Sequence, residues 1–219
     1  MKKIILAVAL VCSTIGFSQD KVSEGIITTK QTMSSDNEQM NMQLAMMGEM
    51  ITTTYFKGDK SRSELSNPMA GSTIAVMDGT ANKVLVMLDN PMMGKKYTIN
   101  DMTPKEEDLK DVTVTKNTET KTVLGYVCQG YDVVMKKQGV EVNMTLFATD
   151  KLSTKSQQVA GLGDKIAGFP LYSEMKMNQM GAEIIIKMEA TELKKESISD
   201  NKFDMTPLEG YEKSEQLGM

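Results

Sequence analysis

The chain has 219 residues and a formal net charge of −4, and it contains no histidine. The lack of histidine excludes Ser-His-Asp and Cys-His catalysis, and it also excludes histidine-ligated zinc. Lysine and arginine occur at most in adjacent pairs such as Lys95-Lys96, so the clustered positive face that binds nucleic acid is not expected either.

Residues 1–18 have the composition of a cleaved export signal. Two lysines precede the short apolar run Ile4–Val11, and small residues at Gly16 and Ser18 occupy the positions that a signal peptidase recognises. The run is shorter than the roughly 20 residues that cross a bilayer. We therefore predict cleavage after Ser18, a periplasmic or secreted protein and no transmembrane segment. Lipidation at Cys12 is the disfavoured alternative, because valine precedes it instead of a small residue.

Residues 19–219 are predicted to form one domain. Cleavage leaves 201 of the 219 residues, which suffices for one sizeable core. Loss of the two signal lysines changes the net charge from −4 to −6. Only Cys128 remains, so no internal disulfide is expected, and its apolar neighbours predict a buried, unreactive thiol.

The mature chain begins with a predicted strand at Ser23–Met33, which is rich in isoleucine and threonine. Ser34–Gly48 is predicted to be a short methionine-faced helix or a mobile segment. Ser35 and Glu38 have the spacing of a capping box, and apolar residues at positions 40, 44 and 47 recur at helical spacing. Gly48 can end this helix.

A meander from Met50 to Leu88 is the stretch around which the predicted fold is organised. It contains two predicted hairpins, each with glycine and aspartate in its turn. Its parts are a strand that ends at Tyr55-Phe56, the turn Gly58-Asp59, the strands Lys60–Ser66 and Ser72–Met77, the turn Asp78–Asn82 and the strand Lys83–Leu88.

The elements predicted after the meander are short. They are the loop Asn90–Gly94, the strand Lys95–Ile99, a brief helix Pro104–Lys110 and the strands Val112–Lys116, Thr120–Val127 and Gly130–Lys137. The spacing of Thr103 and Glu106 is that of a second capping box, with proline at the first helical position.

Strict alternation of apolar and polar positions predicts three further strands. Such alternation is typical of an antiparallel sheet with one packed face and one wet face. The remaining predicted elements are the strands Val142–Ala148, Leu171–Asn178 and Ile184–Ala190, the turns Gln138-Gly139 and Met180-Gly181, an interruption at Ser153–Ala167 with one short helix, and a closing loop at Phe203–Tyr211.

Nine to eleven short strands in one domain predict a mostly β fold. The expected architecture is a curved antiparallel sheet, or unclosed β-barrel, with a few short helices. The alternation places apolar side chains on its concave face. The methionine-rich helix, the small helices or a ligand must therefore cover that face.

No residue pattern points to an enzyme. The stretch Gly161–Asp164 lacks the rest of a phosphate-binding loop, and the acidic residues at Glu106–Asp108 and around Asp200 and Asp204 lie in polar segments typical of a solvated surface. We predict no catalytic residue, no cofactor and no dedicated metal site.

Methionine is the compositional anomaly, with 21 residues in the chain. Three interpretations are open: core packing in irregular spaces, an adaptable surface for a lipid or peptide, and capture of Cu(I) or Ag(I) by thioethers. On the second interpretation, the candidate ligand-binding residues are Met40, Met42, Leu44, Met46, Met47, Met50, Met144, Leu146, Met175, Met177, Ile184, Ile186 and Met188.

Several motifs along the mature chain occur together. They are Tyr55–Arg62, Met77-Asp78 with Lys83–Leu88, Lys121–Cys128 with Tyr131, and Gly168–Leu171. The set resembles the DUF4412 family of exported Bacteroidetes proteins, which is similar to the LolA/LolB lipoprotein-carrier superfamily. The resemblance implies an unclosed barrel with helices over an apolar cavity, and no catalytic residues. It also implies handling of a lipid, a lipoprotein acyl chain or another hydrophobic ligand in the cell envelope. The alternatives are soft-metal binding and a structural protein with a filled core.

Overall fold

The computed structural model describes residues 20–67, 71–137, 140–179, 181–215 and 217. Its strands are β1 (Glu24–Ser35), β2 (Met50–Lys57), β3 (Lys60–Asn67), β4 (Gly71–Asp78), β5 (Lys83–Asn90), β6 (Gly94–Asp101), β7 (Val112–Val123), β8 (Tyr126–Lys137), β9 (Val140–Thr149), β10 (Phe169–Gln179), β11 (Ala182–Lys194) and β12 (Glu212–Lys213). Its helices are α1 (Glu38–Met47), α2 (Glu106–Leu109) and α3 (Gln157–Ala160), with 3-10 turns at Gly163–Lys165 and Asp200–Phe203.

Some predictions fall outside the described residues. These are the export signal at 1–18, the turn Gln138-Gly139, and Met180 in the next hairpin. Within the part of the chain that is described, no helix is both long and apolar enough to span a membrane.

All of these strands belong to one sheet, in the order β12-β6-β5-β4-β3-β2-β1-β11-β10-β9-β8-β7. Neighbouring strands pair antiparallel, except that the two-residue β12 pairs parallel with β6. The mostly β, unclosed antiparallel fold that the alternation predicts is therefore confirmed.

The connection between β6 and β7 requires the sheet to curve. These strands are consecutive in the chain but ten strand spacings apart in the sheet, which is about 48 Å if the sheet were flat. Residues 102–111 span at most about 40 Å when extended, and α2 shortens them further. Side chains on one face of β4 through β10 also line a single cavity, so this face is concave. We call it the inner face and the opposite one the outer face.

The hairpin between β7 and β8 differs from the prediction of one strand at Thr120–Val127. The chain reverses at Leu124-Gly125, where φ is 51° and 81°, and Val123 pairs with Tyr126 across the turn. Leu124 is exposed at the tip while Tyr126 and Cys128 are buried, so these three residues do not share one strand face. Leucine rarely adopts positive φ, which is why the sequence carries a weak turn signal here.

The methionine-rich helix is present, but its cap differs from the predicted one. Asn37 caps α1, and its side-chain oxygen accepts a hydrogen bond from the Met40 N–H at 3.0 Å. Ser35 instead accepts from the Asn37 N–H at 3.2 Å and donates to the Glu183 carbonyl at 2.7 Å. Ser35 therefore ends β1 against β11, and the helix starts later. Gly48 follows the helix with a positive φ of 69°.

Segment 151–168, between β9 and β10, packs on the inner face. Its buried side chains Val159, Leu162 and Ile166 belong to one cluster with Met144 and Leu146 of β9. The apolar face predicted for this strand is therefore covered by the chain itself.

The C-terminal segment passes around the β6 edge of the sheet. Ile198 is buried against apolar outer-face side chains of β4 and β5. The Glu24 carboxylate accepts a hydrogen bond from the Ile198 N–H at 2.5 Å, and this bond lowers the pKa of Glu24. Beyond β12, Leu217 packs on the inner face beside Leu88. The tail thus covers parts of both faces of the same strands.

Cys128 is fully buried beside Val123 and Tyr126, which confirms its predicted burial. Burial raises the pKa of its thiol to about 11. At pH 8 we expect the native protein to react with an aromatic disulfide reagent at least about a hundredfold more slowly than the urea-unfolded protein. The reason is that little of the buried Cys128 thiol is ionised at this pH and that the reagent cannot reach it. Absorbance of the released thiolate measures both rates. Similar rates for the two forms would refute the prediction.

Candidate functional site

A cavity of about 320 Å³ lies on the inner face, between β4 and β10. Its walls come from six adjacent strands of the sheet and from segment 151–168. The volume is at the lower end of the range for small-molecule sites. We call it the first cavity.

Hydroxyl side chains form most of the wall of the first cavity that β1, β2 and β3 contribute, and Gln31 and Leu65 complete it. Thr29 pairs with Thr52 across β1 and β2, and Thr54 pairs with Ser63 across β2 and β3. The hydroxyls of Thr54 and Ser63 are hydrogen bonded at 2.9 Å. We call Thr29, Thr52, Thr54 and Ser63 the hydroxyl patch. Thr73 of β4 adds a further hydroxyl to the same wall.

The hydroxyl patch corrects the prediction of an apolar concave face. That prediction rested on the alternation of β9, β10 and β11, where the inner positions are indeed mostly apolar. On β1 to β3 the same face carries threonine and serine between apolar residues such as Ile27 and Phe56. Threonine suits a strand because it is β-branched, yet its hydroxyl remains polar. The inner face is therefore mostly apolar, with a hydroxylated stretch on β1 to β3.

The wall from β10 and β11 is mostly apolar, although Tyr172 and Ser173 also line it. Phe169 and Leu171 are buried in the core, while Met188 on β11 is half-buried. Pro170 lies between the two buried residues and also lines the cavity. A molecule in the first cavity would therefore contact mainly hydroxyls on one side and mainly hydrocarbon on the other.

Lys155 supplies the charge of the first cavity. Among the described residues that line the cavity, it is the one charged side chain. Lys155 is exposed and also borders a second cavity. A cation beside low-dielectric walls favours anionic groups.

The second cavity, of about 680 Å³, lies near the β2–β3 and β4–β5 turns. It is lined by charged side chains of both signs, including Lys21, Asp59 and Asp150. Along the chain, the fully buried Phe56 of β2 follows Thr54, which lines the first cavity, and precedes Asp59, which lies in the next turn and lines the second cavity. The second cavity therefore has no single polarity, and Lys155 borders both cavities.

The predicted ligand-binding residues of α1 lie away from both cavities. Met42 and Met46 are 59% and 76% exposed. Met40, Leu44 and Met47 are half-buried, and the structure places none of these five residues among the described lining of either cavity. Met50, which begins β2, is buried.

The predicted residues on the strands share the inner face but not one site. Met188 lines the first cavity. Met144 and Leu146 lie beneath segment 151–168, and Met175 packs against the same cluster. Met177, Ile184 and Ile186 lie farther along β10 and β11, towards their turn. The structure thus brings together only part of the predicted set, and its role in binding stays a prediction.

The hydroxyl patch and Lys155 are the functional candidates that sequence reasoning missed. Residues 52–54 are three consecutive threonines, so they predict a strand without indicating which face is buried. For metal, the described residues contain no group of three or more His, Cys, Asp or Glu side chains that could hold an ion.

Comparison with protein families gave one match. The family described as "Domain of unknown function (DUF4412)" matches residues 37–208. No curated protein matched the chain.

Solved structures of several proteins are similar to this chain. A structure of PNGF-II is 16% identical with a TM-score of 0.49, over 88% of this chain and 31% of that one. MucB in complex with MucA(peri) is 9% identical with a TM-score of 0.42, over 84% and 55%. The Mycobacterium tuberculosis lipoprotein LppX is 6% identical with a TM-score of 0.31, over 80% and 89%. The chain thus spans about a third of the PNGF-II chain and about half of the MucB chain.

Proposed function

This chain belongs to the DUF4412 family, and from that premise we propose that it is an exported, non-enzymatic protein that binds a hydrophobic ligand in its first cavity. The family description assigns no function, so the proposal rests on the site. The single observation that carries it is a cavity of about 320 Å³ on the concave face, with an apolar wall at Phe169, Leu171 and Met188.

The apolar wall supports an acyl chain as the bound part of the ligand. Each methylene moved from water to an apolar surface contributes about 0.8 kcal/mol. A chain of several methylenes therefore gains more from this wall than a small polar molecule does. The acyl chain can belong to a free lipid or to a lipoprotein.

The proposed location is the periplasm or the exterior of the cell. The support is the pattern of residues 1–18, with two lysines, a short apolar run and small residues before Gln19. An exported binding protein in the cell envelope would meet lipids and lipoproteins there.

We also propose α1, with its exposed methionines, as the entrance to the first cavity. The Met47 carbonyl accepts a hydrogen bond from the Asn67 side chain at 3.4 Å. Asn67 lies two positions beyond Leu65, which lines the cavity, and thus on the same face of β3. Flexible methionine side chains suit contacts with chains of different shape.

Native mass spectrometry of the protein purified from the cells that produce it tests this function. We expect a species heavier by the mass of one lipid, which returns to the mass of the chain after solvent extraction. A mass increase that matches copper or silver would instead support the thioether interpretation and overturn the proposal. The bare mass, together with no displacement of a neutral apolar dye by lipids, would overturn it in favour of a structural role.

A further inference from the structure

We propose that the ligand of the first cavity carries an uncharged hydroxyl or ester group on its hydrocarbon chain, as a glycerol ester does, and that the hydroxyl patch binds this group. This inference rests on the proposed function, because it specifies the ligand of the same site. It arises from the way in which hydroxyl and apolar side chains are distributed over the strands that line the cavity.

The hydroxyl patch has hydrogen-bonding capacity that the protein does not use. Thr54 and Ser63 share one hydrogen bond, so the hydroxyl that accepts it still has its own hydrogen to donate. The hydroxyls of Thr29 and Thr52 make no hydrogen bond with another described residue. Every buried polar side-chain atom in the described part of the chain has a partner, so these two hydroxyls are open to the cavity. The patch therefore offers donors and acceptors to a ligand.

A plain hydrocarbon does not match the hydroxyl patch. It would displace water from the hydroxyls without replacing the hydrogen bonds of that water, which is unfavourable for each group left unmatched. A charged group would lose much of its own hydration beside the apolar wall of the same cavity. An uncharged hydroxyl or ester oxygen replaces the water at the smallest loss of hydration.

The strand register sets the spacing of the hydroxyl patch. Thr29 lies directly across from Thr52, and such pairs have Cβ atoms about 5 Å apart. Thr54 lies two positions along β2 from Thr52, which is about 7 Å. A hydrogen bond between hydroxyl oxygens spans about 2.8 Å. Oxygens on neighbouring carbons of one ligand can therefore reach different hydroxyls of the patch.

The strand order sets the direction of the ligand across the sheet. The lining strands follow one another as β3-β2-β1-β11-β10. The hydroxyl patch lies on the first three, while Met188 on β11 and Leu171 on β10 belong to the apolar wall. From β2 to β10 there are three strand spacings, or about 14 Å along the sheet. A ligand that lies across the strands thus places its oxygens on β1 to β3 and its hydrocarbon on β11 and β10.

Three uncharged probes with a twelve-carbon chain test the inference by displacement of a neutral apolar dye from the full chain. They are 1-dodecanol, 1,2-dodecanediol and the glycerol monoester of dodecanoic acid. We expect the diol to bind about fivefold more tightly than dodecanol, which is the usual effect of one added hydrogen bond, and the ester at least as tightly as the diol. A site of hydrocarbon alone would favour dodecanol, because added oxygens favour water.

The double variant T29V/T52V removes the open hydroxyls of the patch and keeps the β-branched shape of threonine. We expect it to bind dodecanol at least as tightly as the parent and to lose the preference for the diol and the ester. The matched control is T28V/T53V, because Thr28 and Thr53 form the neighbouring cross-strand pair on the outer face of the same strands. It should keep the parent's order of affinities.

The outcomes separate the two proposals. If none of the three probes binds, the proposed function is overturned, and the inference with it. If the diol and the ester bind no more tightly than dodecanol, or if T29V/T52V keeps the parent's preference, the proposed function stands and the inference is overturned. Circular dichroism shows whether each variant is folded. If the double variant is not, Thr29→Val and Thr52→Val singly give the same test, and each should lose part of the preference.

Discussion

Phe56→Ala is expected to lower the free energy of unfolding by about 3–5 kcal/mol, as is usual for loss of a fully buried aromatic ring. Phe56 is completely inaccessible and belongs to the core cluster that also contains Ile27, Leu152 and Leu171. These residues come from β1, β2, β10 and segment 151–168, so the ring joins distant parts of the sheet. Urea denaturation followed by circular dichroism measures the change.

Two comparisons make the Phe56 result specific. Phe56→Leu keeps much of the volume and should cost about 1–2 kcal/mol. Ile51→Ala removes a side chain that is 44% exposed on the outer face of the same strand, and it should cost well under 1 kcal/mol. A loss below about 1 kcal/mol for Phe56→Ala would contradict the packing described for the inner face.

Strands with a clear alternation of apolar residues could be predicted closely. In β9 and β11 the inner positions are apolar and the outer positions are mostly polar, so both the element and its face follow from the sequence. The turn between β4 and β5 also follows, because Asp78-Gly79 is a strong local signal.

Other features depend on contacts that the local sequence does not contain. Ser35 does not cap the helix, because its hydroxyl donates a hydrogen bond to the carbonyl of Glu183 on β11, which is 148 residues away in sequence. The turn at Leu124 needs a positive φ that leucine rarely adopts. In both places the pairing of the sheet overrides the local preference of the chain.

The candidate site could not be predicted for a related reason. On β2 the inner face carries Thr52, Thr54 and Phe56, while the outer face carries Ile51, Thr53 and Tyr55. The inner face has two hydroxyls and one aromatic ring, and the outer face has one aliphatic side chain, one hydroxyl and one aromatic ring. The two faces are so alike in polarity that period-two alternation does not say which face is buried. Register with β1 and β3 decides it, and this places the hydroxyl patch in the cavity.

Thr52→Trp is expected to weaken binding of dodecanoic acid by at least about 15-fold, because an indole on the inner face of β2 would occupy part of the 320 Å³ cavity. Exclusion of only two methylenes from the apolar wall costs about 1.6 kcal/mol, which corresponds to that factor. Thr52 is half-buried and borders open space, and aromatic residues suit strands, so stability should change by less than about 1 kcal/mol.

Thr53→Trp is the matched control, because the neighbouring residue on β2 carries its side chain on the outer face. It adds the same indole to the same strand without entering the cavity, and it should bind dodecanoic acid like the parent. Isothermal titration calorimetry gives both affinities, and urea denaturation shows that both variants are folded. If Thr52→Trp binds as tightly as Thr53→Trp, the ligand does not lie against the hydroxyl patch. The second cavity, which is larger and lacks Thr52 among its lining residues, would then be the site to which binding must be assigned.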